Sequence, residues 1–207
     1  MSKKKDRIII IIFVLIGIGL FGYLGYRIKT DFKKEEVVEE KTLRSLDLYG
    51  YTLKERDTEL YKATFKELEE VLNEEPINYQ DYAKKVSELF IIDLYTLNNK
   101  LTSTDIGGNE FLHKDLKDNF NEKMGSTLYR NVKNNIDGKR NQKLPEVSKV
   151  EVTNVEEGKY TYDGNEYDAY IVSLKWEYVE DMEYQNTLKV TLIKDNDLLY
   201  VVKGDYL

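Results

Sequence analysis

Asp93 stands inside the most apolar run of the chain, Leu89-Phe90-Ile91-Ile92-Asp93-Leu94-Tyr95, seven positions after Val86 and so on the same helical face. An ionised carboxylate among hydrocarbon is costly unless it is hydrogen-bonded or neutralised. Two chemistries fit it. One is a general base at the floor of an apolar pocket. The other is a structural carboxylate that accepts amide hydrogens from the turn Thr102–Gly108, and this is the expected role. His113 is the single histidine, and its neighbours Lys114 and Asp115 point to a solvated or helix-capping position. Trp176 and Tyr178 lie on a strand with clear two-residue alternation, where an indole is more naturally core than ligand platform. Asp93, Trp176, Tyr178 and His113 are therefore the candidate pocket residues, with no catalytic residue and no metal ligand among them.

The remaining motifs exclude more than they assign. There is no cysteine, which removes disulfides, thiolate metal sites and thiol nucleophiles. A lone histidine makes no histidine-pair metal site. The loop Thr104–Glu110 offers oxygen ligands but not the spacing of a calcium loop. Gly107-Gly108 is not followed by the lysine and hydroxyl of a phosphate loop, and neither a nucleophile elbow nor a zinc-protease helix motif occurs. No cofactor is expected.

The elements that must position these residues follow from periodicity. A helix opens at Asp57 or Thr58, carries Tyr61, Phe65, Leu68 and Leu72 on one stripe, and stops before Pro76. A second opens at Asn78 and becomes apolar on every side around Leu89–Ile92, which implies deep burial. A third is expected over roughly Glu110 to Asn135, with Phe111, Leu116, Phe120, Met124, Leu128 and Val132. From Pro145 the period changes to two. Val150 and Val152 open a strand, and Tyr160 and Tyr162 lead into the turn Asp163-Gly164-Asn165. Tyr170, Val172, Leu174, Trp176 and Tyr178 then face one side of the next strand, with Ala169, Ser173, Lys175 and Glu177 opposite. Leu188, Val190 and Leu192 mark a third strand and Leu198–Lys203 a fourth, joined by the turn Asp195-Asn196-Asp197. Short connections imply an antiparallel meander. The class is α+β: an N-terminal transmembrane helix, then two to three helices packed on a curved antiparallel sheet of four or more strands.

Charge divides the chain unevenly. Residues 1–34 hold eight Lys/Arg and two Asp, a net of +6, while the other 173 residues hold 23 Lys/Arg and 36 Asp/Glu, a net of −13. So acidic a body repels phosphate backbones, which excludes nucleic acid as a partner, and it also repels anionic lipid surfaces. Ile8–Tyr26 is an uncharged run of 19 residues, enough to span the ~30 Å hydrocarbon layer, with Tyr23 and Tyr26 at the interface. No small-residue cleavage site follows, so an uncleaved anchor is expected. Basic residues flank it on both sides, and export of the acidic body favours the N-terminus inside. The expected organisation is a cytoplasmic tail over 1–7, a transmembrane helix over 8–26, a charged stalk over 27–46 with a short strand near Leu48–Leu53 leading on, and an extracytoplasmic α+β domain over 47–207.

Two or three helices followed by a four-strand meander resembles, across residues 46–207, the cone-shaped nuclear-transport-factor-two-like (cystatin-like) fold. The segment Leu89–Tyr95 followed by Asp105-Ile106-Gly107-Gly108 looks like small membrane-anchored proteins of low-GC Gram-positive bacteria. A short tail, one anchor and such a domain is also similar to the bitopic assembly subunit of conjugative type IV secretion machines, whose tail is longer. The resemblance implies a single-pass protein of the cytoplasmic membrane with its C-terminal domain outside. The expected function is a non-enzymatic binding or assembly domain whose partners are the membrane, through residues 8–26, and another protein. The alternative is a binder of a small hydrophobic ligand, or an isomerase-like enzyme, using a cone pocket with Asp93. A subunit of a conjugation or secretion complex is a further alternative.

Overall fold

The computed structural model describes residues 40–206. The expected transmembrane segment Ile8–Tyr26 and most of the expected stalk lie outside the described residues. Among the described residues no helix is long and apolar enough to cross a membrane.

The chain enters through a hairpin, β1 (Thr42–Leu46) paired antiparallel with β2 (Tyr51–Lys54). The strand expected over Leu48–Leu53 is thus shorter. Residues 47–50 form the turn, with Tyr49 and Gly50 donating to the Leu46 carbonyl and Gly50 at φ +74°. The end of the stretch expected as a stalk supplies the partner strand.

Helix α1 (Glu59–Leu72) is capped by Thr58, whose hydroxyl accepts from the Tyr61 amide. Helix α2 (Tyr79–Tyr95) is capped by Asn78, which accepts from Gln80 and Asp81. Both starts match the expectation. α2 is the centre of the core: Tyr82, Val86, Leu89, Phe90, Ile91 and Ile92 are all buried, because α1 covers one side of the helix and the sheet the other. It ends at Tyr95, where Thr96 turns extended and the Leu97 and Asn98 amides donate to the Pro145 carbonyl.

The third helix differs from its expected span. Helix α3 covers only Lys117–Ser126, preceded by 3-10 turns at Asn109–Phe111 and Lys114–Leu116. The periodicity of Phe111, Leu116 and Phe120 is real, but Leu112 and His113 are pulled into extended conformation. Leu112 makes a one-residue parallel bridge to Val201, and the His113 amide donates to the Val201 carbonyl. That tertiary pairing outweighs local helix propensity.

The second half is an antiparallel meander of β3 (Val147–Tyr162), β4 (Asn165–Tyr178), β5 (Thr187–Asp195) and β6 (Leu198–Asp205), in sheet order β3-β4-β5-β6. The class is α+β, with three α-helices and a four-stranded antiparallel sheet among the described residues. Two-residue turns at Asp163-Gly164 (φ 46° and 77°) and Asn196-Asp197 set the register. Val172, Leu174 and Trp176 of β4, Val190 and Leu192 of β5 and Leu199 and Val201 of β6 face α2, as alternation requires.

The opposite sheet face is not uniformly exposed. Ala169, Ser173, Thr191 and Ile193 are buried there, while Lys175 and Glu177 are exposed. The cause is curvature. Across four flat strands the outer two would stand roughly 14 Å apart. Yet the ring of His113, on the β6 edge, lies 4.9 Å from that of Tyr162 at the end of β3 and 5.5 Å from that of Tyr200 on β6. The far end of the β3–β4 hairpin thus comes over to the β6 edge on this face.

Candidate binding groove

Asp93 sits at the C-terminal end of α2, and its carboxylate is spoken for. Oδ1 accepts from the Lys100 ammonium at 2.5 Å, and Oδ2 accepts from the Gly108 amide at 2.6 Å. Burial alone would raise its pKa, but Lys100 and the Gly108 amide more than offset that and hold it below the usual carboxylate range. Burial likewise disfavours the Lys100 charge, and Asp93 reverses the balance and holds the ammonium above its usual range. The pair pins the loop after α2 to the helix it leaves.

The loop approaches closely enough to demand its glycines. A Cβ on Gly107 would stand 2.1 Å from the Asp93 carbonyl oxygen, and one on Gly108, already at φ +83°, would stand 2.9 Å from the Phe90 ring. The buried Tyr129 hydroxyl completes the clamp by accepting from the Gly107 amide at 3.1 Å and donating to the Leu94 carbonyl at 2.7 Å. Asp105 accepts from the Leu101 amide and pairs with Arg56, which ties down the start of the loop.

Nearby carboxylates are also engaged. Glu110 accepts from the Thr52 amide and hydroxyl and from the Tyr61 hydroxyl, with its pKa raised by burial. Asp57 accepts from the Lys54 amide at 2.6 Å and is pushed up to about 6, mainly by burial. Among the described residues no group of three or more His, Asp or Glu side chains is placed to hold a metal ion.

The other sequence candidates are dispersed. Trp176 is buried with its ring 4.6 Å from that of Tyr95. The Tyr178 hydroxyl donates to the Gln185 carbonyl at 2.6 Å. His113 holds the N-cap position of the 3-10 turn Lys114–Leu116, its carbonyl accepting from the Leu116 amide, but its side chain makes no cap hydrogen bond and is not solvated: it is buried between Tyr162 and Tyr200, with Nδ1 3.3 Å from an Asp115 oxygen, because the β6 bridge draws it inward. The four do not meet in one pocket.

What the fold does open is a groove of about 510 Å³ between α3 and the edge of β6, within the range of ligand sites. Its floor is Phe90, Leu94 and Tyr95 of α2; one wall is Phe120, Met124 and Leu128; the facing wall is Val202, Lys203 and Gly204 of β6; Tyr184 and Gln185 close one end. None of Asp93, Trp176, Tyr178 or His113 lines it, although Trp176 and Tyr178 lie directly behind Tyr95 and Gln185. No residue of α3 is fully buried: Phe120 and Met124, with Leu128 just beyond the helix, pack against the core on one side and line the open groove on the other. The polar groups lining the groove include Asn119, Lys123, Thr127 and Lys203, and no carboxylate or imidazole is among its lining residues. The sequence carried one signal for it, an apolar stripe on an otherwise polar helix.

No family model, no curated protein and no solved structure matches the chain.

Proposed function

We propose that this protein is a non-enzymatic binding module, held at the outer face of the cytoplasmic membrane by Ile8–Tyr26, that takes an apolar partner into the groove between α3 and β6. The groove itself carries the reading. It is open, lined mainly by hydrocarbon and aromatic rings, and edged by lysines, and its lining holds no acid–base pair or nucleophile–base pair with which to do chemistry. Asp93, the carboxylate that the sequence singles out as a possible base, is paired with Lys100 and does not line the groove. A curved sheet with helices on one face also fits the cone-shaped nuclear-transport-factor-two-like architecture, which hosts scaffolds and binding modules as readily as enzymes. The acidic body is kept off anionic lipid while the anchor keeps it near the membrane.

A photoreactive residue at Leu116 or Leu128 of the full chain, irradiated in native membranes, tests this. The expected result is a discrete heavier adduct that is absent when the same probe replaces Lys175 on the exposed sheet face. Protease added to intact cells should digest the acidic body. Protection of that body, or identical labelling from both positions, would overturn the reading. Membership of a secretion or conjugation complex is the specialised form of the proposal and predicts that the adduct contains another subunit of such a complex.

A further inference from the structure

β6 is the last strand of the sheet, with β5 on one side and no strand on the other among the described residues. The molecule already adds main chain to that open edge once: Leu112 bridges Val201 in parallel, and the His113 amide donates to the Val201 carbonyl at 3.2 Å. The added chain then leaves into the turn Lys114–Leu116, and from Val202 onward the edge runs unpaired along the groove. An edge strand beside a trough between strand and helix is the geometry of β-strand addition, in which main-chain hydrogen bonds hold a peptide and alternate side chains fill apolar pockets.

We propose that the groove takes an extended segment of another protein, which continues the sheet along Val202–Asp205 where Leu112 leaves off. Alternate apolar side chains of that segment enter the trough against Leu94, Phe120, Met124 and Leu128. This deepens the function proposed above and rests on the groove being the binding face.

Two further observations select the partner. β3, the other edge of the sheet, carries Lys149, Glu151, Glu156, Glu157 and Lys159 and two register shifts, against Lys203, Asp205 and one register shift on β6, so the usual devices that discourage edge pairing are denser on β3. At the β6 groove the charges are cationic. Lys203 pairs with Asp205, whereas Lys123 has no carboxylate within ion-pair distance among the described residues. The segment therefore carries one acidic side chain at its Lys123 end, in an otherwise apolar and uncharged stretch that the acidic body tolerates.

The test uses the full chain in detergent micelles, panned against a displayed library of random linear nonapeptides, with palmitate titrated in parallel. Enriched peptides should show apolar residues at alternate positions and an acidic residue near one end. N-methylation of the alternate amides along one peptide edge should weaken binding at least 10-fold, while methylation along the other edge has little effect. Lys123→Glu, at an exposed position, should weaken it at least 5-fold, and Leu128→Arg should abolish it. Peptides that bind equally well when methylated on either edge would overturn strand addition while leaving the groove as the binding face. Enrichment of no peptide, with palmitate bound and lost in Leu128→Arg, would assign the groove to an acyl anion and overturn the proposal. Binding of neither probe would overturn both the proposal and the groove reading beneath it.

Discussion

Replacing Lys100 with methionine removes one half of an ion pair and leaves its volume filled. The Asp93 carboxylate then keeps a single partner, the Gly108 amide at 2.6 Å, in surroundings that leave its side chain 19% exposed. Removing one member of a buried pair costs about 3–5 kcal/mol, and the residual exposure of Asp93 places this change near about 3 kcal/mol. The reverse change, Asp93→Asn, keeps an acceptor for Gly108 but strands an ammonium whose side chain is 6% exposed, and it should cost at least as much. Combining the two should cost clearly less than the sum, with a coupling of about 2 kcal/mol or more, because the double variant buries no uncompensated charge. Urea unfolding followed by the emission of the single tryptophan, Trp176, reads this directly, since that ring is packed on Tyr95 in the core. The pair also sets a pH window. Asp93, with its pKa lowered by folding, contributes stability above the unfolded carboxylate value and loses it as acid titrates through the folded one. Lys100, raised by folding, contributes below the unfolded ammonium value and loses it in strong alkali. The difference between wild type and Lys100→Met should therefore persist across neutral pH and shrink below roughly pH 4. A single-variant loss under about 1 kcal/mol, or strictly additive losses in the double variant, would refute the assignment of Asp93 as a charge held for structure.

Three further outcomes are expected. Asp57, pushed up to about 6, favours its protonated form in the fold, so its contribution grows as pH falls through 6 and becomes a cost at pH 7. Asp57→Asn, which keeps an acceptor for the Lys54 amide, should raise the melting temperature at pH 7.5 by an amount worth about 1–2 kcal/mol, allowing for the solvent that reaches the site, and should flatten the dependence between pH 5.5 and 7.5. Gly107→Ala places a methyl group against the Asp93 carbonyl and should cost about 3 kcal/mol or more in urea unfolding, or prevent folding altogether. Tyr129→Phe leaves the Gly107 amide without its acceptor in a fully buried site and should cost about 2 kcal/mol, with faster hydrogen exchange at Gly107 as the local readout.

How far the fold was legible varied with the range of the interactions that decide each part. The caps at Thr58 and Asn78, the all-round burial of Leu89–Ile92, the Asp163-Gly164 turn and the four-strand meander all depend on neighbours within a few positions, so periodicity and turn chemistry suffice. The structural role of Asp93 was also legible, as a carboxylate in an apolar run followed by a glycine turn. Its cation was not, because Lys100 reaches it only through the path of the loop. The third helix was over-extended because its stripe truly has helical spacing, and nothing local announces that Leu112 and His113 will be taken by β6.

What the sequence determined by itself was therefore the element types, their order, the antiparallel pairing of adjacent strands and the separation of a basic N-terminal segment from an acidic body, since these follow from side-chain period and composition along the chain. The tertiary structure alone decided that the sheet curls until Tyr162 meets His113, that the four candidate residues scatter, and that α3 covers the core only in part and leaves a groove beside β6. Those outcomes depend on which surfaces meet after the chain has turned back on itself, and contacts between residues 50 or 90 positions apart leave no periodic trace in the residues that make them.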